Sequence, residues 1–171
     1  MIQGANGAGK STLLRTLSGL IPKKEGEVFF QGKAVSTSRF LQALCFLKPD
    51  RCPFYPELTL QENLHFFARL FHKKDFPLEL KEMAENLKLK PFWNIPMQFL
   101  SYGTKEKIGF LYCALGAKKI KCFDEPFSGL DFESCAQINH YFQTWKKKGD
   151  LVIFSSHQPP ENLAWDQILT L

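Results

Sequence analysis

A glycine-rich segment near the start of the chain has the residue types that bind phosphate groups. It reads GANGAGKS, from Gly4 to Ser11, and fits the pattern G-x-x-x-x-G-K-[ST]. Its glycines let backbone N–H groups turn towards phosphate oxygens, Lys10 supplies charge to the outer phosphates, and the Ser11 hydroxyl can ligate Mg²⁺. A helical pattern follows at once, which favours this interpretation over a chance glycine-rich turn. The predicted phosphate-binding residues are Gly4, Ala5, Asn6, Gly7, Ala8, Gly9, Lys10, Ser11 and Thr12.

Two adjacent acids form a second candidate for chemistry. In IKCFDEP, from Ile120 to Pro126, Asp124 and Glu125 leave the end of a short apolar strand. Ligands of parallel sheets bind at that end of the strands. Asp124 could then hold Mg²⁺, and Glu125 could polarise the water that attacks a γ-phosphate. Taken alone, the pair could instead cap the helix that follows, and the phosphate loop strengthens the catalytic interpretation.

Two further segments carry weaker signals. Ser101 and Gly103, in FLSYGTKEK, precede a helical pattern, and the amides of a helix N-terminus attract anions. A serine at this place is ordinarily only an N-cap. His157 follows an apolar strand in FSSHQ and could hydrogen-bond to a γ-phosphate, although a lone histidine at a strand end is more often structural.

The elements that must position these residues alternate along the chain. A helix after the phosphate loop is predicted to end before Pro22, because apolar residues share one face at helical spacing: Leu13, Leu14, Leu17, Leu20 and Ile21. Further helical patterns run from 55–71 through 78–89, over 132–148 and over about 159–165. Thr59 and Glu62 form a predicted capping box. Strands are predicted in GEVFFQGKAV, which contains a glycine turn, and in ALCFLKP, KKIKCFDEP, DLVIFSSH and DQILTL. The pattern predicts an α/β fold with a mostly parallel sheet, a small antiparallel element and a helical insertion.

Composition excludes several other classes. The 171 residues are 44% hydrophobic and carry a net charge of +5, which suits one domain with a real core. The lysine runs are short and typical of solvated faces, so no nucleic-acid partner is predicted. The five cysteines have no zinc-ligand spacing and no disulfide framework. No apolar run approaches the roughly 20 residues of a membrane span, so any role at a membrane requires a partner.

The order of these segments resembles the ATP-binding subunit of ABC transporters. GANGAGKST, FYPELTLQENLHFFARL, LSYGTKEK, CFDEPFSGLD and FSSHQ match its Walker A, Q-loop region, signature, Walker B with D-loop, and H-loop. The resemblance runs through nearly the whole chain. It implies a P-loop NTPase fold, a single ABC ATPase domain over 1–171 with a helical subdomain at about 54–116, and ATP hydrolysis with ATP and Mg²⁺ as ligands.

The resemblance also implies partners and residue roles. Two copies would enclose ATP, with the Walker A of one copy facing Ser101, Tyr102 and Gly103 of the other. Glu125 would be the catalytic base and His157 the switch residue. The helical subdomain would contact an integral membrane permease, which places the protein peripherally on the cytoplasmic face of a membrane. The D-loop residues expected to cross the interface between the copies are Ser128, Gly129, Leu130 and Asp131.

Three departures from the family pattern stand out. Asp50 occupies the position usually held by the Q-loop glutamine, where a shorter acid could still reach Mg²⁺ but is expected to couple differently to the permease. In the signature, Tyr102 and Thr104 replace a glycine and a glutamine. In front of the phosphate loop, Met1 to Gln3 supply only the end of a strand, since strands usually run about 5–6 residues. We therefore expect missing N-terminal strands and a missing adenine-stacking aromatic residue, from a late assigned start or a shortened protein.

The segments point to more than one branch of the family. ENLHFF, DEPFSGLD and SSHQPPE resemble the ATPases of cytochrome c maturation, which handle haem, and this is the predicted role. YPELTLQENLHFFARL also resembles ATPases of drug, lipid and polysaccharide exporters. A soluble ABC ATPase outside transport and a degraded copy of such a subunit are also compatible with the motifs. Intact Lys10, Asp124, Glu125 and His157 argue against the degraded copy.

Overall fold

The chain forms two compact units in a computed structural model. The first consists of Met1–Phe46, Lys118–Phe127 and Phe142–Leu171, and the second of Leu47–Ala117 and Ser128–Tyr141. The single domain over 1–171, with a helical subdomain at about 54–116, stays a prediction. Asp50 and most of the helix predicted at about 159–165 lie outside the described residues. The structure describes 1–22, 25–30, 32–34, 44–47, 54–73, 76–116, 119–157 and 165–171.

The first unit is built on a parallel sheet. Its five strands lie in the order β4 (Leu44–Leu47), β5 (Ile120–Asp124), β6 (Leu151–Ser156), β1 (Ile2–Gln3) and β7 (Leu169–Thr170). The β5–β6, β6–β1 and β1–β7 pairs are parallel. β2 and β3 form a separate antiparallel pair on either side of the predicted glycine turn. The α/β fold with a mostly parallel sheet and a small antiparallel element is therefore confirmed. The elements are β1 (Ile2–Gln3), α1 (Lys10–Leu17), β2 (Phe29–Phe30), β3 (Lys33–Ala34), β4 (Leu44–Leu47), β5 (Ile120–Asp124), β6 (Leu151–Ser156) and β7 (Leu169–Thr170).

The short strand β1 lies inside the sheet, between β6 and β7. Ile2 is opposite Ser155 of β6 on one side and Leu169 of β7 on the other. The Leu169 N–H donates to the Met1 carbonyl at 2.9 Å, and the Leu171 N–H donates to the Gln3 carbonyl at 2.9 Å. The residues directly before the phosphate loop are therefore hydrogen-bonded to strands on both sides.

One face of the sheet packs against α1. Ile120 and Cys122 lie two residues apart on β5 and form a buried apolar cluster with Ile2 and Leu14. Residues two apart in a strand share a face, so this pairing is what the sequence of β5 predicts. The cluster joins the strand before the phosphate loop to the helix after it.

The opposite face packs against the end of helix α5 (Phe132–Lys147). The Phe123 and Phe142 ring centroids lie 4.9 Å apart. Lys121 is buried on this face, 4.8 Å from the Trp145 ring centroid and 2.7 Å from Asp150. Burying a charge is costly unless it is paired, and the ion pair with Asp150 offsets the cost of burying Lys121.

The second unit is helical. Helices α2 (Leu60–Leu70) and α3 (Leu78–Asn86) both pack on α4 (Tyr102–Leu115). Their buried apolar side chains include Leu64, Phe67, Met83 and Leu111. The predicted capping box at the start of α2 is confirmed: Thr59 N–H donates to Glu62 Oε2 at 2.8 Å, and Glu62 N–H donates to Thr59 Oγ1 at 3.2 Å. The described helical elements are α2 (Leu60–Leu70), α3 (Leu78–Asn86), the 3₁₀ turns Lys90–Phe92 and Met97–Phe99, α4 (Tyr102–Leu115) and the first part of α5.

Helix α1 ends earlier than its apolar spacing predicts. It stops at Leu17, the Ser18 hydroxyl donates to the Leu14 carbonyl at 2.6 Å, and Gly19 adopts a φ of 69°. A left-handed glycine after the last turn is a common helix terminator. Leu20, expected on the buried face, is 61% exposed as a result.

Candidate functional site

The predicted phosphate loop is an exposed turn between β1 and α1. Residues 5–8 are exposed, and Gly7 and Gly9 have φ angles of 86° and 97°, which favour glycine. Gly9 is the N-cap of α1 and has no side chain to occupy the first N–H groups of the helix. A Cβ on Gly4 would lie 2.7 Å from the Leu171 carbonyl oxygen, so this position also requires glycine. The loop can therefore present backbone N–H groups to an anion.

Lys10 is the buried cation of the loop. Its Nζ donates to the carbonyls of Gly4 at 2.8 Å and Ala5 at 3.0 Å, and it lies 3.6 Å from Glu125 Oε1. Only 6% of the Lys10 side chain is exposed. These contacts place its ammonium group between the loop carbonyls and the Glu125 carboxylate.

Asp124 and Ser11 meet at the end of β5. Ser11 Oγ donates to Asp124 Oδ1 at 2.8 Å, and Ser155 Oγ donates to the same oxygen at 2.7 Å. The Ser155 hydroxyl in turn accepts from the Glu125 N–H at 2.9 Å. The buried Ser155 of β6 therefore contacts the carboxylate of Asp124 and the backbone of Glu125.

Sequence reasoning missed Ser155. The register of the sheet places it directly opposite Asp124. The sequence showed a serine at the end of an apolar strand, two residues before His157. Its role is evident only from the pairing of β5 with β6, which places it beside Asp124.

Glu125 contacts both Lys10 and His157. His157 Nδ1 lies 2.9 Å from Glu125 Oε2, and the His157 N–H donates to the same oxygen at 3.3 Å. Glu125 has a φ of 55°, which is unusual for a residue with a side chain and typical of functional sites. The histidine therefore belongs to the acid cluster and is not an isolated strand-end residue.

The signature segment begins helix α4 in the second unit. Ser101 is the N-cap, with its Oγ accepting from the Thr104 N–H at 3.2 Å and lying 2.8 Å from Thr104 Oγ1. The ordinary capping role is thus present, and Thr104 takes part in it. Tyr102 is 54% exposed at the first position of the helix.

The predicted D-loop, Ser128 to Asp131, leads into α5 in the same unit. Asp131 Oδ1 accepts from the Ser134 N–H at 2.7 Å, and Asp131 Oδ2 lies 3.3 Å from Lys107 Nζ. The Ser134 N–H is the main cause that lowers the pKa of Asp131 to about 2, and Lys107 adds to it. Asp131 is therefore a charged helix cap.

The structure brings together only part of the predicted site. Ser101, Tyr102 and Gly103 share the second unit with Ser128, Gly129, Leu130 and Asp131. Asp50 lies outside the described residues. The first unit contains the phosphate loop together with Asp124, Glu125 and His157.

The oxygens at the end of β5 suit Mg²⁺ by their chemistry. Ser11 offers a hydroxyl and Asp124 a carboxylate, both oxygen ligands of the kind that Mg²⁺ prefers. Among the described residues, no group of three or more His, Cys, Asp or Glu side chains is placed to hold a metal. A Mg²⁺ ion here would depend on Ser11, Asp124 and the phosphates of a nucleotide.

Comparison with known proteins identifies the family. The family model described as ABC transporter matches residues 1–128. The chain therefore belongs to the ABC transporter family of ATP-binding domains. Among the described residues, no helix combines the length and apolar character needed to cross a membrane.

Curated relatives are similar over most of this chain. An uncharacterised ABC transporter ATP-binding protein from Alkalihalophilus pseudofirmus is 34% identical over 91% of this chain and 58% of its own length. The cytochrome c biogenesis ATP-binding export protein CcmA from Pasteurella multocida is 34% identical over 92% of this chain and 74% of its own. The human phospholipid-transporting ATPase ABCA3 is 30% identical over 98% of this chain and 10% of its own. The chain thus spans less than two thirds of the first of these relatives.

Solved structures confirm the fold. A putative ABC transporter ATP-binding protein from Pyrococcus furiosus has a TM-score of 0.80 at 23% identity, over 99% of this chain and 83% of its own. An ATP-binding cassette solved as a dimer in a post-hydrolysis state with ADP and Pi has a TM-score of 0.77 at 22% identity. That match covers 99% of this chain and 79% of the cassette. The P-loop NTPase fold expected from the sequence is therefore confirmed.

Proposed function

We propose that this chain binds and hydrolyses ATP as one of a pair of identical subunits that drive a membrane-embedded permease. The observation that carries the proposal is the convergence of Lys10, Ser11, Asp124 and Glu125 at one end of a parallel sheet. A phosphate loop, a cation, a metal-binding pair and a base are the parts that phosphoryl transfer to water requires.

The chemistry would proceed through the residues of the first unit. Backbone N–H groups of the loop and the N-terminus of α1 bind the phosphates, and Lys10 neutralises charge that develops on the γ-phosphate. Glu125 orients and polarises the attacking water, and His157, 2.9 Å from it, fixes the direction of that carboxylate. Ser11 and Asp124 would hold Mg²⁺, which supplies charge neutralisation when bound.

A second copy would complete the site. Ser101, Tyr102 and Gly103 are proposed to contact the ATP bound by the partner copy, and Ser128 to Asp131 to cross between the copies. Support comes from the exposure of Tyr102 and of Phe132, which is 88% exposed directly after Asp131. A structural neighbour was solved as a dimer with ADP and Pi.

The finer proposal is a role in cytochrome c maturation, at the cytoplasmic face of a membrane. It is supported by CcmA relatives from Pasteurella multocida and Salmonella typhi, at 34% and 32% identity. A phospholipid-transporting relative of 30% identity favours lipid export as the second candidate. Expression in bacteria that lack CcmA separates the two, because restored c-type cytochrome content supports the first. Unrestored content, from a chain that still associates with the CcmA permease partners, contradicts it.

Glu125→Gln tests the hydrolytic role. The amide keeps the shape of the side chain but cannot act as a base, so ATP binding should persist while turnover falls by about 10²-fold or more. An ATP-bound dimer should accumulate and be visible by gel filtration. Hydrolysis at the wild-type rate would remove Glu125 from the mechanism.

Ser101→Arg tests the shared site. The larger cation should block hydrolysis without weakening ATP binding to the isolated chain, because Ser101 acts on the nucleotide of the partner copy. Mixing Ser101→Arg with Lys10→Ala restores one intact site per mixed dimer, so activity should return. Two inactive variants that remain inactive together would contradict a shared site.

A further inference from the structure

The ring of Tyr102 lies against Gly129 within the second unit. A Cβ built on Gly129 would lie 3.2 Å from both Cδ1 and Cε1 of Tyr102. Gly129 has a φ of 70°, a left-handed conformation that glycine adopts readily. Because glycine has no side chain, its backbone can also rotate to other conformations at little cost. The tyrosine ring therefore covers the most freely rotating residue of the D-loop.

Two other contacts join the same segments. A Cβ on Gly103 would lie 3.0 Å from the Gly129 carbonyl oxygen, so the backbone of the first turn of α4 approaches the D-loop closely. One turn further along α4, Lys107 Nζ lies 3.3 Å from Asp131 Oδ2. The D-loop is thus held on the first two turns of the signature helix at Tyr102, Gly103 and Lys107.

We propose that Tyr102 is a positioning residue that fixes the D-loop in the conformation needed to complete the ATP site of a second copy. This inference rests on the proposed function and deepens it. A loop that contains a left-handed glycine loses conformational freedom when it is ordered, and a ring packed on that glycine reduces this cost before a second copy binds. With a residue lacking the ring at 102, the backbone contact at Gly103 and the Lys107–Asp131 ion pair would remain.

The consequence for turnover follows from geometry. Misplacing a catalytic contact by about 1 Å can reduce a rate by about 10²-fold. Because the Gly103 and Lys107 contacts remain, Tyr102→Ala is expected to lower kcat by about tenfold. The KM for ATP should change by less than about twofold, since the phosphate loop and Lys10 are untouched. Tyr102→Phe keeps the ring and should therefore have a higher kcat than Tyr102→Ala.

Hydrogen exchange reports on the D-loop without hydrolysis. In Tyr102→Ala, amides of 128–134 should exchange at least about threefold faster than in the unaltered protein, in the absence of nucleotide, and Tyr102→Phe should restore slow exchange. Phe66→Ala is the matched control, because Phe66 is an aromatic residue of the same unit with 42% exposure. It should leave exchange at 128–134 and kcat unchanged.

Mixed dimers test whether the effect acts on the partner's site. Tyr102→Ala mixed with Lys10→Ala should recover about half of the wild-type activity, because one site then has an intact phosphate loop and an intact partner D-loop. The double variant Lys10→Ala/Tyr102→Ala mixed with wild-type chain should show the tenfold loss in its single competent site. Recovery in both mixtures would overturn the proposal.

The outcomes separate this inference from the proposed function. If the unaltered protein neither hydrolyses ATP nor dimerises with it, both proposals fail. If the unaltered protein does both, and Tyr102→Ala matches it in kcat and in exchange at 128–134, only the Tyr102 proposal fails. A lower kcat with unchanged exchange at 128–134 also overturns it, because the ring would then act on the nucleotide and not through Gly129.

Discussion

Ser155→Ala should weaken the positioning of both Asp124 and Glu125, because it removes a hydroxyl that hydrogen-bonds to each residue. Ser155 is fully buried, donates to Asp124 Oδ1 at 2.7 Å and accepts from the Glu125 N–H at 2.9 Å. A hydrogen bond to a charged group contributes about 1.5–3 kcal/mol, and a buried donor without a partner costs about 1–3 kcal/mol. Allowing for partial relaxation, the expected loss in the free energy of unfolding is about 3 kcal/mol.

The same change should slow hydrolysis. Ser11 would remain as a donor to Asp124, so Mg²⁺ and ATP binding should weaken only modestly. Glu125 would lose the contact that fixes its backbone N–H, and we expect kcat to fall by about ten- to a hundredfold. Steady-state ATP hydrolysis, with kcat and KM determined separately, measures this effect.

Ser156→Ala provides the matched control. Ser156 lies on the same strand and is 2% exposed, but its side chain makes no hydrogen bond to Asp124 or Glu125 in the described part of the chain. Urea unfolding of both variants should show a lower midpoint for Ser155→Ala with an unchanged m-value. Equal stabilities for the two variants, within about 0.5 kcal/mol, would refute the reasoning.

The remaining predictions concern other contacts. Phe132→Asp should raise the dissociation constant of an ATP-dependent dimer by about ten- to a hundredfold in sedimentation, because burying a phenylalanine contributes about 1.5–3 kcal/mol. The melting temperature should not change, since Phe132 is 88% exposed. An unchanged dissociation constant would contradict this. Asp131→Asn should cost stability at neutral pH. Because the pKa of Asp131 is lowered from 3.8 to about 2, this cost should shrink as the pH falls below about 4 and vanish near 2 in pH-dependent urea unfolding; a constant cost would contradict it. Gly4→Ala should lower ATP affinity, measured by titration, since its Cβ would lie 2.7 Å from the Leu171 carbonyl oxygen and displace the loop; unaltered affinity would show that the loop can relax.

Local signals in the sequence predicted local structure well. The Thr59–Glu62 capping box, the antiparallel pair around Gly32 and the strand before Asp124 all agree with the structure. Each depends on residues close in sequence, where periodicity and capping chemistry act. The early end of α1 was missed because Leu20 continues the helical spacing of the apolar residues, although the helix has already ended at Leu17.

Long-range contacts could not be predicted in this way. Ser155 contacts Asp124 because β5 and β6 pair in one register, and a shift by one residue would turn its side chain to the other face. Similarly, Tyr102 and Gly129 are far apart in sequence, and neither residue type indicates a mutual contact. The register of the sheet and the packing of helices decide which polar residues of this site have partners.

The polar contacts of Lys10 suggest how its ammonium group could stay buried and still contact a bound nucleotide. A buried ammonium group needs partners, and here it has the carbonyls of Gly4 and Ala5 and the Glu125 carboxylate at 3.6 Å. Phosphate oxygens carry more charge than a carbonyl, so a bound nucleotide would replace these contacts with charge-assisted ones without moving Lys10 into solvent. The exchange would also release Glu125 Oε1 from the lysine while His157 still holds Oε2. One carboxylate oxygen would then become available to a water molecule only after phosphate has arrived, which couples the base to substrate binding.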